Sequence, residues 1–103
     1  MSYDVDAKCA HCSRSSAEFN ITYNLSAMVR ELGMYPYDFD GRPASEYAVA
    51  MANALQMLNE DFDRYNKLSA PNGWGTAAQL REHLPQWIKE FESAPACCVV
   101  SVS

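Results

Sequence analysis

The chain has 103 residues, a length that supports one hydrophobic core and predicts a single domain over residues 1–103. Its composition, 49% apolar and 20% charged, is ordinary for a folded protein and argues against disorder. Only 8 Lys and Arg residues are scattered along a chain of net charge −5, which disfavours nucleic-acid binding through phosphate contacts.

Two segments near the N-terminus alternate apolar and polar residues with the two-residue period of a β-strand. In the first, SYDVDAK at residues 2–8, the apolar members are Tyr3, Val5 and Ala7. In the second, EFNITYNL at residues 18–25, the polar members are Asn20, Thr22 and Asn24. This alternation predicts strands of an antiparallel sheet that is covered on one side.

The polar row of the second strand has two interpretations. It is either the solvated side of a half-buried strand or a row of carboxamides and a hydroxyl that binds a polar ligand. Asn is disfavoured in strands because its side chain competes for backbone hydrogen bonds, so the ligand-binding interpretation is kept beside the first.

Three helical segments follow. The first lies around residues 26–32, and the second runs from about residue 43 to 68 with apolar residues every three or four positions. The third begins at Thr76, where Thr76 and Gln79 have the spacing of a capping box. Pro85 lies inside this helix and is predicted to kink or split it, because its ring removes a donor and crowds a carbonyl.

A last strand, CCVVSVS at residues 97–103, completes the order β-β-α-α-α-β. The simplest sheet has the order 2-1-3, with the first strand central and antiparallel to both others. The three helices would cover its apolar face, which makes the fold class α+β. In this register Cys9 comes close to Cys97 and Cys98.

Cys9 and Cys12 form a C-x-x-C pair, a spacing that allows two thiolates to bind one zinc ion. The predicted register brings a third thiol close, so Cys9, Cys12 and Cys97 are the candidate metal ligands. Adjacent strand residues point to opposite faces, so Cys97 and Cys98 are not expected to bind the same ion. The alternative is an unoccupied knuckle beside partly buried thiols, with no cofactor.

The connector SAPNGWGT at residues 69–76 combines turn residues with a tryptophan. Trp74 either folds inward as a plug over the sheet edge or forms the rim of a pocket. In the second case the N–H groups at the start of the third helix would attract an anion, and a nucleotide-like ligand would stack on the indole. The candidate ligand-binding residues are Asn20, Thr22, Asn24, Asn72, Trp74 and Thr76.

Catalytic motifs are not found, and the prediction is a protein without enzymatic activity. The sequence has no G-x-S-x-G or H-E-x-x-H motif, and "GWGT" lacks the lysine of a phosphate-binding loop. His83 on the third helix is interpreted as a half-buried helical residue rather than a base. The acidic start lacks the basic and apolar parts of a signal peptide, and no apolar run could span a membrane, so we expect a cytoplasmic protein with reduced thiols.

The motifs together resemble a family of small bacteriophage and prophage proteins. The specific pieces are the C-x-x-C at Cys9 and Cys12, NITYNL at residues 20–25 and PNGWG at residues 71–75. Family members often have His where this chain has Tyr23. The resemblance implies a phage setting, and hence the cytoplasm of the bacterial host, without implying a particular chemistry.

Two functions follow as expectations. The first is a phage-encoded binding protein that sequesters a nucleotide-derived molecule, such as an immune signal, in a counter-defence role. The second is an interaction module that binds a host protein or self-associates into a homo-oligomer, with a structural zinc knuckle as an option. This module would use Tyr35, Tyr37, Phe39 and the edge of the C-terminal strand.

Overall fold

The computed structural model describes residues 2–9 and 15–103. Its strands are β1 (Ser2–Cys9), β2 (Ser15–Thr22) and β3 (Cys98–Val102). Its α-helices are α1 (Ser26–Glu31), α2 (Ala44–Glu60), α3 (Phe62–Asn66) and α4 (Ala77–Glu92). Two short 3₁₀ helices span Tyr23–Leu25 and Pro36–Asp38.

The three strands form one antiparallel sheet in the order β2-β1-β3, which confirms the predicted topology. Tyr3 pairs with Ile21 on one side of β1, and Cys9 pairs with Cys98 on the other. The predicted α+β class is also confirmed, and the element order roughly matches the expected one.

The core lies between the apolar face of the sheet and the helices. Val5, Ile21 and Val100 on the sheet are almost completely buried, and α2 packs against α4. At the centre, the buried Tyr47 hydroxyl donates a hydrogen bond of 3.0 Å to the carbonyl oxygen of Met34. Burial raises the pKa of this phenol far above its usual range.

The structure corrects three details of the predicted elements. The second predicted helix divides at Asp61, whose φ of −141° is not helical, and becomes α2 and α3. The third is not split at Pro85, because α4 continues through this residue while Leu84 and Phe91 anchor it in the core. Strand β2 ends at Thr22, so the prediction that Asn24 belongs to a strand is wrong.

The outer edge of β3 is covered by residues 40–43. The backbone N–H of Gly41 donates to the carbonyl of Val100, and the N–H of Val100 donates to the carbonyl of Arg42, both at 2.7 Å. Asp40 Oδ1 accepts a further hydrogen bond from the N–H of Val102. The edge of the C-terminal strand is therefore not open to a partner, which contradicts the expectation above.

Within residues 2–9 and 15–103, none of the helices has both the length and the apolar character required to cross a membrane.

Candidate functional site

A groove of about 930 Å³ lies between β2, the loop at residues 73–75 and α4, and we call it the β2–α4 groove. This volume is near the upper end of the range for ligand-binding cavities. Three of the predicted ligand-binding residues line it, namely Asn20, Thr22 and Trp74. The other lining residues are Glu18, Phe19, Ile21, Leu25, Gly73, Gly75, Gln79, Leu80, Glu82, His83 and Trp87.

Aromatic rings form one side of the groove. Phe19 stacks on Trp87 with ring centroids 4.2 Å apart, and His83 stacks on the same indole at 5.5 Å. Trp74 stands apart at the rim with 73% of its surface exposed, so the interpretation as an inward plug is wrong. His83 is exposed rather than half-buried. An exposed indole beside stacked rings is typical of a binding surface.

Two asparagines hold the backbone of Trp74 from both sides. Asn72 Oδ1 accepts a hydrogen bond of 3.0 Å from the Trp74 N–H, and Asn24 Nδ2 donates one of 2.9 Å to the Trp74 carbonyl. Neither residue lines the groove. Asn24 and Asn72 therefore position the indole, where the sequence predicted that they would bind the ligand directly.

The N-terminus of α4 is occupied by the protein's own side chains. Thr76 Oγ1 accepts from the Gln79 N–H, while Gln79 Oε1 accepts from the N–H groups of both Gly75 and Thr76. Ser69 Oγ accepts from the N–H of Ala77. The predicted capping box is confirmed, and Thr76 acts as a cap. Four of the donors that were expected to attract an anion, the N–H groups of Gly75, Thr76, Ala77 and Gln79, are already used within the protein.

Gly75 lets the loop lie against the 3₁₀ helix that follows β2. Its φ is +100°, a backbone conformation that residues with a Cβ atom adopt only at a cost in free energy. A Cβ atom at this position would lie 2.9 Å from Thr22 Cγ2 and 3.1 Å from Asn24 Cβ. The close approach explains why a second glycine follows the tryptophan.

The backbone of β2 presents hydrogen-bonding groups to the groove. Asp4 exchanges two backbone hydrogen bonds with Ser103, at 3.0 and 2.9 Å, so its N–H and C=O point toward β3. The backbone N–H and C=O groups of successive strand residues point to opposite sides. Those of Tyr3 and Val5 therefore point toward β2 and bond with Ile21 and Phe19. The intervening residues of β2 therefore direct their N–H and C=O groups outward, which applies to Glu18 and Asn20.

The side chain of Asn20 lies on the polar face of the sheet. Its Nδ2 donates to Ser2 Oγ at 2.8 Å and to Asp4 Oδ1 at 2.7 Å. The carboxamide is thus engaged with β1, and the outward N–H and C=O of Asn20 remain on the side of the groove.

The groove carries negative charge. Glu18 and Glu82 line it, and none of its described lining residues is Lys or Arg. A neighbouring depression on the polar face of the sheet adds Asp4 and Asp6 beside Glu18. Asp6 is paired with Lys8 at 3.7 Å, so Asp4, Glu18 and Glu82 are the carboxylates that favour a ligand with positive charge and disfavour an anion.

Three cysteines meet at the opposite end of the sheet. The Sγ atoms of Cys9, Cys97 and Cys98 all lie within 4.8 Å of one another. Cys12, the remaining candidate ligand, lies outside the described residues. The hydrogen bond with Cys9, together with desolvation and nearby thiols, raises the pKa of Cys97 to about 11. Cys97 is therefore a poor nucleophile at neutral pH.

The aromatic loop at residues 35–39 is less exposed than the sequence suggested. Phe39 packs against Tyr47 at 4.8 Å, and Tyr35 packs edge-on against Tyr3 at 5.8 Å. Tyr37 is 47% exposed. This loop therefore contributes mainly to packing.

Comparison of the chain with protein-family models, with curated proteins and with solved structures gave no match.

The sequence-based prediction of the groove did not include His83 and Trp87, since both were interpreted as ordinary helical residues. A signal was present: Leu80, His83 and Trp87 have the spacing of one helical face.

Proposed function

We propose that the protein is a non-catalytic binding protein whose ligand is an extended segment of a partner protein. The segment lies in the β2–α4 groove and adds a strand to the edge of β2. The observation that carries this proposal is the outward direction of the backbone groups of Glu18 and Asn20, which line the groove. Strand addition uses such groups for affinity and neighbouring side-chain pockets for specificity.

The side chains around the groove favour a basic segment with apolar or aromatic residues in alternation. Successive residues of an added strand point to opposite faces. On one face they would meet the stacked Phe19 and Trp87 rings, and on the other the carboxylate of Glu18. Trp74 at the rim supplies a large, rigid contact area.

A nucleotide-derived ligand has weaker support. The exposed indole suits base stacking, but the α4 N-terminus is capped by Gln79 and Thr76, and Glu18 and Glu82 would repel phosphates. A second copy is also disfavoured as the occupant, because each chain carries a net charge of −5. The partner's origin in a bacterial host, and a role in counter-defence, stay predictions that follow from the resemblance to phage proteins.

The experiment selects binders from a displayed library of random peptides and measures the affinity of the enriched sequences by fluorescence. We expect basic peptides with alternating apolar residues. Substitution of their Lys or Arg by Glu should abolish binding, and so should N-methylation of alternate backbone amides, which removes donors without changing side chains.

Two pairs of variants sharpen the test. Trp74→Ala should weaken binding by at least about tenfold, the effect expected of a contact residue worth more than about 1.4 kcal/mol, whereas Val49→Ala on the exposed side of α2 should not. Asn20→Pro removes an outward N–H and should abolish binding, whereas Asn20→Ala keeps this N–H and should retain it.

Three results would contradict the proposal. One is enrichment of peptides that bind Asn20→Pro and the unchanged protein equally. Another is thermal stabilisation by nucleotides, cyclic dinucleotides or ADP-ribose derivatives that depends on Trp74, which would support the small-molecule function instead. The third is a dimer in light scattering that Asn20→Pro converts to a monomer, which would identify a second copy as the occupant.

A further inference from the structure

Three cysteine sulfur atoms lie close together at the end of the sheet opposite to the β2–α4 groove. Cys9 ends β1, Cys98 begins β3, and the two residues pair directly across the strands. Cys97 precedes β3 and lies in a turn, so the alternation of strand side chains does not apply to it. For this reason Cys97 and Cys98 both approach Cys9, which differs from the sequence-based expectation.

We propose that Cys9, Cys97 and Cys98 form a structural site for one Zn²⁺ ion. Zinc prefers thiolate ligands at about 2.3 Å in tetrahedral geometry, which separates the sulfurs by about 3.8 Å. The three Sγ atoms lie within 4.8 Å of one another, so none of the three separations exceeds this value by more than about 1 Å. The Cys9–Cys97 pair, at 2.6 Å, must open by about 1.2 Å.

The required movement falls on the exposed ligand. Cys9 and Cys98 are buried and fixed by the pairing of β1 with β3, whereas Cys97 is exposed in the turn at residues 96–97. Two ligands are thus preorganised by the sheet, and the third closes over the ion from solvent. An ion here would tie the last strand to the first and stabilise the end of the chain.

The fourth coordination position is not assigned by the three described thiols. A fourth protein side chain completes a structural zinc site, whereas water in this position is typical of a catalytic site. Cys12 follows Cys9 with the C-x-x-C spacing but lies outside the described residues, and the proposal does not depend on it.

The test combines elemental analysis of protein purified under reducing conditions without chelator with a titration by Co²⁺. We expect about one zinc per chain and the thiolate-to-cobalt charge-transfer absorption of a sulfur-rich site. Cys97→Ser should weaken zinc binding by at least about tenfold, because even the loss of an outer-shell partner costs this much. Ala96→Ser, its exposed neighbour, is the matched control and should bind zinc like the unchanged protein.

Circular dichroism of each variant verifies that it is folded. Cys97 is exposed, so its substitution avoids the loss of core packing that substitution of the buried Cys9 or Cys98 would cause. Absence of both zinc and the cobalt absorption would overturn the proposal. Equal zinc affinity in Cys97→Ser and Ala96→Ser would also overturn it. So would zinc that is lost in Cys12→Ser and kept in Cys97→Ser, because the ion would then belong to the C-x-x-C pair alone.

Discussion

Substitution of Gly75 by alanine tests whether the tryptophan loop is held in one conformation by its contact with the 3₁₀ helix at residues 23–25. Alanine at a φ of +100° carries a conformational cost of about 1–3 kcal/mol. The added Cβ would also lie 2.9 Å from Thr22 Cγ2, and such overpacking costs about 1–3 kcal/mol. Loss of freedom in the unfolded chain offsets about 0.4–1 kcal/mol. The expected destabilisation therefore lies between about 1 and 5.6 kcal/mol.

Gly73→Ala is the matched control for this prediction. Gly73 also has a positive φ, +78°, but a Cβ there would meet no atom within 4 Å among the described residues. Its substitution carries the conformational cost without the collision, so we expect a smaller loss, between about 0 and 2.6 kcal/mol. The difference between the two variants isolates the contact of the loop with Thr22 and with Asn24 and Leu25 of the 3₁₀ helix.

Urea denaturation followed by circular dichroism measures both values, with linear extrapolation to water. Amide exchange at Trp74 and Gly75 should also accelerate in Gly75→Ala, because displacement of the loop weakens the hydrogen bonds that these N–H groups donate to Asn72 and Gln79. Equal stability of Gly73→Ala and Gly75→Ala would refute the inference that the loop is pressed against the 3₁₀ helix.

Three further predictions concern stability. Tyr47→Phe leaves the buried Met34 carbonyl without its donor and should cost about 1–3 kcal/mol in urea denaturation at neutral pH; an unchanged midpoint would contradict this. Because burial raises the pKa of Tyr47, the unfolded chain releases the phenol proton first, and the advantage over Tyr47→Phe should shrink by about 1.4 kcal/mol per pH unit above about pH 10. A constant advantage up to pH 11 would argue against a neutral buried phenol. Gln79→Ala should lose about 1 kcal/mol and speed amide exchange at Gly75 and Thr76, whereas Gln86→Ala on the same helix should not affect those amides.

The sheet was predictable because apolar and polar residues alternate along its strands. Apolar residues every second position define β1 and β2, and with a third short strand the simplest order is 2-1-3. The capping box at Thr76 was equally local, since it needs only a spacing of three residues. Helix breaks were harder, because the single non-helical residue at Asp61 leaves the apolar spacing almost unchanged.

The site was predictable only in part. Turn chemistry identified the loop at residues 71–75, but a single aromatic residue has no periodicity that would predict whether it points inward or outward. The hydrogen bond from Asn24 to the Trp74 carbonyl joins residues that are distant in sequence, and no local pattern predicts it. The open edge of β2 was not predictable either. It follows from the path of residues 40–43, which cover β3 and leave β2 as the other border of the sheet.

The unequal borders of the sheet limit how far this molecule can polymerise. Fibrils grow when every added strand exposes a fresh template for the next. Here the strap at residues 40–43 already occupies one border through Gly41 and Arg42. If two molecules paired along β2, the outer strand at each end of the joint sheet would be β3, whose edge is already covered by residues 40–43. No further strand could then be added, so assembly would stop at a dimer. A sheet with one open edge can thus bind a single partner strand without starting aggregation.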